Sequence, residues 1–131
     1  MQKILIVDDS ATIRKMVRAS LQGLDTHPQF AEASSGLEAI EQLALAGIGL
    51  VVLDLNMPDM HGIDVLRFVR RNAHYKSLPI VVLTTRGDET SRQTAKEAGA
   101  TTYLTKPFAP QILAQAVRDL LDAAVEASPR T

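Results

Sequence analysis

The chain of 131 residues contains no cysteine. Disulfide bridges and thiolate metal centres are therefore excluded, and the absence fits a reducing compartment. Charge of one sign is also missing. Lys and Arg number 14 against 15 Asp and Glu, a net charge of −1. Nothing here attracts nucleic acid or an acidic membrane in bulk, so neither is expected as a partner. Long hydrophobic runs are absent as well. The N-terminal apolar run covers only residues 4–7 before Asp8 and Asp9 interrupt it, too short for the core of a signal peptide. No stretch approaches the length that spans a bilayer. A cytoplasmic protein is the expectation. There is no G-x-x-x-x-G-K-[ST] loop for cradling a nucleotide.

What is present is one domain's worth of ordinary globular composition, 46% apolar and 22% charged. Residues 1–126 are expected to form that domain, with 127–131 as a frayed tail. Short β-branched runs alternate with stretches of helical period. Residues 4–7 read as a buried strand. Ile13, Met16, Val17, Leu21 and Leu24 then recur along one helical face, with Ser10 as the N-cap. Residues 30–33 are a weaker strand. Ser35 to Glu38 matches a capping box, opening a helix that Gly47 or Gly49 closes.

Residues 50–53 form the clearest strand. The stretch 55–62 holds Asn56, Pro58, Asp59 and Gly62 and reads as a loop. Ile63, Leu66 and Val69 restart the helical period. Residues 80–83 are a fourth strand, 89–98 a helix with only alanine as clearly apolar residue, and 101–104 a fifth strand. The last helix opens near Pro110 and carries Ile112, Leu113, Ala116, Val117, Leu120, Leu121 and Ala124. Five strand-then-helix units imply an α/β fold with a five-stranded parallel sheet and helices on both faces. Right-handed crossovers favour the doubly wound order 2-1-3-4-5.

Ligands of such sheets sit where strands reach their carboxyl ends. The chain places Asp8 and Asp9 after the first strand, Asp54 after the third, Thr84 after the fourth and Lys106 after the fifth. Taken singly, each has a plain structural reading as a turn, cap or solvated residue. Their convergence from four strand ends is the informative fact. Two like charges about 4 Å apart repel by roughly 4 kcal/mol at an effective dielectric near 20. Lys106 offsets one of three negative charges. A hard divalent ion with oxygen ligands meets the remainder, and Mg2+ fits best because it favours one or two carboxylates plus phosphate. None of His27, His61 and His74 lies at a strand end, which speaks against zinc. With a cation in place, Asp54 is the expected nucleophile of a phosphoryl transfer, Lys106 a mobile point charge and Thr84 a hydrogen-bond donor.

These residues lie in recognisable motifs: Ile-Val-Asp8-Asp9-Ser10, Leu-Asp54-Leu-Asn56-Met-Pro58-Asp59-Met-His61-Gly62, Leu-Thr84, and Tyr103-Leu-Thr-Lys106-Pro107-Phe108. From Lys3 to about Ala124 the chain resembles the receiver domain of two-component response regulators, and within it the single-domain, CheY-like chemotaxis type. The resemblance implies that Asp54 accepts a phosphoryl group from a sensor histidine kinase. It implies that Asp8, Asp9 and the Asn56 backbone carbonyl join Asp54 in holding Mg2+, for which Mn2+ can substitute. Thr84 and Lys106 then contact the phosphoryl group, and Tyr103 is the switch aromatic that follows Thr84. The bond before Pro107 is expected to be cis. Asn56 and the residue two places beyond Thr84 border the path of attacking water and tune the lifetime of the product. That second position is acidic in the chemotaxis prototype and is Arg86 here.

Output is then expected through proteins, on the face of the fourth helix, fifth strand and fifth helix. The target would be the flagellar motor switch or a phosphotransfer protein, and the chain a monomer with at most slow self-dephosphorylation. Few residues follow the last helix, so a helix-turn-helix module is not expected. The rival readings are an intermediate receiver in another phosphorelay and a Mg2+-dependent phosphatase with an aspartyl-phosphate intermediate. The latter normally carries Asp-x-Asp after its first strand, where this chain has Asp8-Asp9-Ser10. A receiver-like fold that signals without phosphate is a third rival, disfavoured by the complete acidic set.

Overall fold

A computed structural model describes residues 3–45, 47–57 and 60–127, the last four by backbone alone. The elements are β1 (Lys3–Val7), α1 (Ala11–Leu21), β2 (Gln29–Ala33), α2 (Gly36–Leu45), β3 (Leu50–Leu53), α3 (Gly62–Arg71), a 3-10 turn (Ala73–Tyr75), β4 (Ile80–Thr84), α4 (Glu89–Ala98), β5 (Thr102–Thr105) and α5 (Pro110–Ala127). All strand pairs are parallel, in the order β2-β1-β3-β4-β5. The doubly wound α/β expectation holds.

Both faces of the sheet are covered, which explains why the central strands read as unbroken apolar runs. Ile4, Ile6, Leu50, Val52, Val81 and Leu83 face α1 and α5. Leu5, Val7, Val51, Leu53, Ile80 and Val82 face α2, α3 and α4. Burying each such side chain stabilises the fold by about 1.5–3 kcal/mol. Two expected core residues lie outside. Met16 is 47% exposed and Ile112 57% exposed. Each precedes a buried neighbour, Val17 or Leu113, and one residue is a 100° turn of the helix away from that buried stripe. Leu113, Val117 and Leu121 are buried as expected, and the side chain of Ala124 lies outside the described residues.

Local signals set most of the boundaries. Ser10 caps α1, its hydroxyl accepting from the Ile13 N–H at 3.3 Å. The Ser35 hydroxyl accepts from the Glu38 N–H at 3.1 Å, as a capping box requires, while the Glu38 carboxylate takes the Ser34 hydroxyl. Asp88 caps α4, and Gly99 ends it with φ of +115°, a left-handed conformation that glycine adopts without steric cost. α2 stops at Leu45, two residues ahead of Gly47. Of the loop expected over 55–62, Pro58 and Asp59 lie outside the described residues, as do 128–131 of the expected tail. Ala127, placed in that tail, is the last residue of α5.

Candidate functional site

Register brings the acidic residues together. Val7 of β1 is level with Leu53 of β3, so the next residues, Asp8 and Asp54, leave adjacent strands at the same height. The ladder continues one step further, with Asp54 N–H donating to the Val7 carbonyl at 2.9 Å and Asp8 N–H donating to the Ala33 carbonyl at 3.1 Å. Oxygens of Asp8, Asp9 and Asp54 lie within 4.8 Å of one another. Asp8 and Asp54 are buried and Asp9 is exposed.

Thr84 and Lys106 arrive from the other side. Thr84 is the last residue of β4, level with Thr105 of β5, and Lys106 follows directly. The Lys106 ammonium donates to Asp8 Oδ2 at 2.7 Å and stands 3.6 Å from Asp54 Oδ1. Its backbone N–H donates to the Thr84 carbonyl at 2.7 Å. The Lys106–Pro107 peptide is cis. Thr84 is fully buried, and its hydroxyl oxygen lies 3.3 Å from Asn56 Nδ2 and 3.4 Å from the Arg86 N–H. All five converging residues therefore meet at one rim.

The rim is short of positive charge. Burial pushes the Asp54 carboxyl above its usual range, the Asn56 N–H and Lys106 pull it back, and Asp8 and Asp9 push it up again. One ammonium among three carboxylates leaves the cluster uncompensated, and its donors are all hard oxygens. That is the donor set of a divalent cation such as Mg2+. The approach of α3 is equally confined. A Cβ on Gly62 would lie 2.4 Å from the Asp54 carbonyl oxygen and 2.6 Å from Leu55 Cα, so only glycine lets α3 start this close to the reactive strand end.

Over residues 4–118 the sequence matches the profile of the response regulator receiver domain. The chain belongs to that family. It is 38% identical to the chemotaxis protein CheY1 of Helicobacter pylori over 120 residues, which are 91% of this chain and 96% of that protein. It is 40% identical to the transcriptional regulatory protein ResD of Bacillus subtilis over 126 residues, 96% of this chain and 50% of ResD. The structure of chemotaxis response regulator CheY4 of Vibrio cholerae aligns with a TM-score of 0.83 at 38% identity, covering 92% of this chain and 98% of that one.

In this receiver Tyr103 is half-buried against the α2–α3–α4 side of the core, and its hydroxyl donates to the Arg86 carbonyl. Arg92 of α4 lies over the ring, its guanidinium carbon 4.7 Å from the centroid. Burial pushes the Tyr103 phenol above its usual range. Ala95 is the one buried residue of α4. Arg86 itself is exposed, 3.8 Å from Asp88. Among the described residues no helix is long and apolar enough to cross a membrane.

Two residues near the rim were not singled out from the sequence. Arg14 of α1 donates through Nη1 to the Asp8 carbonyl at 2.6 Å and through Nε to Glu32 Oε1 at 2.9 Å. Glu32 sits within β2, and a charged residue inside a short strand was the available signal.

Proposed function

We propose that this receiver accepts a phosphoryl group on Asp54 from a phosphohistidine of a sensor kinase, in a Mg2+-dependent step. The meeting of Asp8, Asp9 and Asp54 within 4.8 Å, with Lys106 as their only ammonium among the described residues, is the observation that carries the reading. Asp8, Asp9, Asp54 and the Asn56 carbonyl would hold the ion, which supplies positive charge to the phosphoryl oxygens.

A carboxylate oxygen of Asp54 attacks phosphorus and the P–N bond to the imidazole breaks. The electron pair stays on the imidazole nitrogen, which takes a proton from water. Lys106 stands against Asp8 and Asp54 and neutralises charge as it gathers on the transferred oxygens. The Thr84 hydroxyl turns from its present partners to donate to the new phosphoryl group. Tyr103, joined to Arg86 and so to the β4–α4 loop, carries that change to the face of α4, β5 and α5, where a partner binds the shifted arrangement better. Asn56 and Arg86 flank Thr84 and tune how long the product lasts. Chemotaxis is the favoured pathway, supported by likeness to CheY1 over nearly all of that protein, with a flagellar motor switch as the target.

Incubation with acetyl phosphate, with and without Mg2+, followed by intact-mass measurement tests the chemistry. One added phosphoryl group is expected, dependent on the metal, removed by hydroxylamine and missing in Asp54→Asn. Labelling that proceeds equally in EDTA, or that persists in Asp54→Asn, overturns it.

A further inference from the structure

Asp9 is the weak point of the acidic pair. Asp8 is fixed through every polar atom. Its N–H donates to Ala33, Oδ1 accepts from the Ser10 N–H at 2.9 Å, Oδ2 accepts from Lys106, and its carbonyl accepts from Arg14. The Asp9 carboxylate is exposed and makes no hydrogen bond or ion pair with another described residue. Its position is therefore set by the peptide that joins it to Asp8, and the carbonyl of that peptide is the one Arg14 holds.

We infer that Arg14 is a positioning residue for the metal site, a clamp that orients the Asp8–Asp9 peptide and so presents the Asp9 carboxylate, with Glu32 as its anchor. The inference rests on the proposal that the acidic pair binds Mg2+. One guanidinium spans two elements, with Nη1 on the β1–α1 loop and Nε on β2. The Arg14 side chain is only 16% exposed, so these bonds are shielded from solvent. Glu32 is held in turn: its second oxygen accepts from Arg18 Nη2 at 2.5 Å, and Arg18 lies 5.1 Å from the centroid of the Phe30 ring. Bonding to Arg18, seconded by Arg14, keeps the Glu32 carboxyl below its usual range, so the anchor stays charged wherever Asp54 is. A planar fork can reach both acceptors at fixed angles, whereas an ammonium on a flexible stem cannot hold both in that geometry.

Electrostatics alone predicts the opposite of a clamp, which makes the idea testable. Removing a cation beside three carboxylates should tighten divalent-ion binding. Removing a clamp should loosen it. Titration calorimetry with MgCl2 on the parent, Arg14→Met, Arg14→Lys and Glu32→Gln separates the two. Arg14→Met is expected to bind Mg2+ about tenfold more weakly, as with other residues that orient metal ligands. Arg14→Lys, which keeps the charge and loses the fork, should also bind more weakly. Glu32→Gln should do so to a smaller degree, the loss of its negative charge acting in the same direction, so the two Arg14 variants carry the distinction. Circular dichroism melts establish that each variant is folded at the titration temperature, and Arg14→Lys, whose charge is unchanged, decides the matter if Arg14→Met is not. Mg2+ affinity that is unchanged or higher in the folded variants overturns the clamp. A parent that binds no Mg2+ at millimolar concentrations overturns the metal reading, and the clamp with it.

Discussion

The side-chain amide of Asn56 donates to the hydroxyl oxygen of Thr84 across 3.3 Å, joining the loop after β3 to the end of β4. The same oxygen is 3.4 Å from the Arg86 N–H, so one buried hydroxyl ties together the three positions expected to govern transfer, switching and lifetime. Thr84→Ala leaves both donors without that acceptor and should cost about 1 kcal/mol in urea denaturation. Thr84→Ser retains the oxygen and should stay within half of that loss. Labelling by acetyl phosphate should slow several-fold in the alanine variant and remain near the parental rate in the serine variant. Equal rates in both would remove the hydroxyl from the mechanism.

Asp54→Asn should abolish labelling while making the metal-free protein more stable at pH 7. Burial raises the Asp54 carboxyl pKa in the folded chain, so its ionised form opposes folding. The opposition begins as pH rises through the unfolded value, near 4, and is complete above the raised folded value. The gain in Asp54→Asn should be about 1 kcal/mol at pH 7, or roughly 4 °C in melting temperature, and should vanish below about pH 3.5. Saturating Mg2+ should stabilise the parent more than the variant. Melts in EDTA across pH 3–8 check the sign.

Lys106→Met removes the ammonium that contacts Asp8 and Asp54 at the acidic rim. A buried cluster that loses its counter-charge is expected to cost about 3 kcal/mol at neutral pH. Because Mg2+ then faces no competing cation at Asp8, millimolar MgCl2 should recover much of that loss. Thermal melts with EDTA and with MgCl2 read both effects. If the variant melts with the parent in EDTA, the 2.7 Å contact to Asp8 contributes little.

His61 occupies the N-cap of α3 and makes no side-chain bond to the first turn. Replacing it by Ser supplies the missing acceptor and should add about 0.5–1 kcal/mol of stability. Labelling of Asp54 is expected to be unchanged. A slower reaction in a more stable protein would give the imidazole a part in the chemistry that its exposed position does not suggest.

The order of the strands was legible because three of the five are short apolar runs between stretches of helical period, and parallel topology leaves few ways to connect them. The rim was legible for the same reason, since strand ends in such a sheet point to one place. Residues whose partners are distant in sequence were not. Thr101 was placed within β5, which begins one residue later. Its N–H donates to the Ile80 carbonyl, and its hydroxyl accepts from Ile80 N–H at 3.0 Å and from Arg70, so it serves as a side-chain bracket ahead of the strand. The 3-10 turn at Ala73–Tyr75, capped by the Asn72 side chain, left no periodic signal in three residues. Arg14 and Arg70 looked like ordinary helix-surface charges, and only the fold reveals that Arg14 joins the Asp8 carbonyl to the Glu32 carboxylate and Arg70 joins the carbonyls of Tyr75 and Gly99.

The lateral sequence of the sheet imposes a direction on any disturbance that begins at Asp54. Thr84 stands one strand further out and Tyr103 two, each step about 4.8 Å, the spacing of neighbouring strands. β2 lies on the opposite flank, separated from Asp54 by β1, and it carries Glu32, which steadies the acidic pair through Arg14. One border of the sheet is thus built to stay still and the other to respond. Strengthening the contacts around β2 should leave the responsive border free to move.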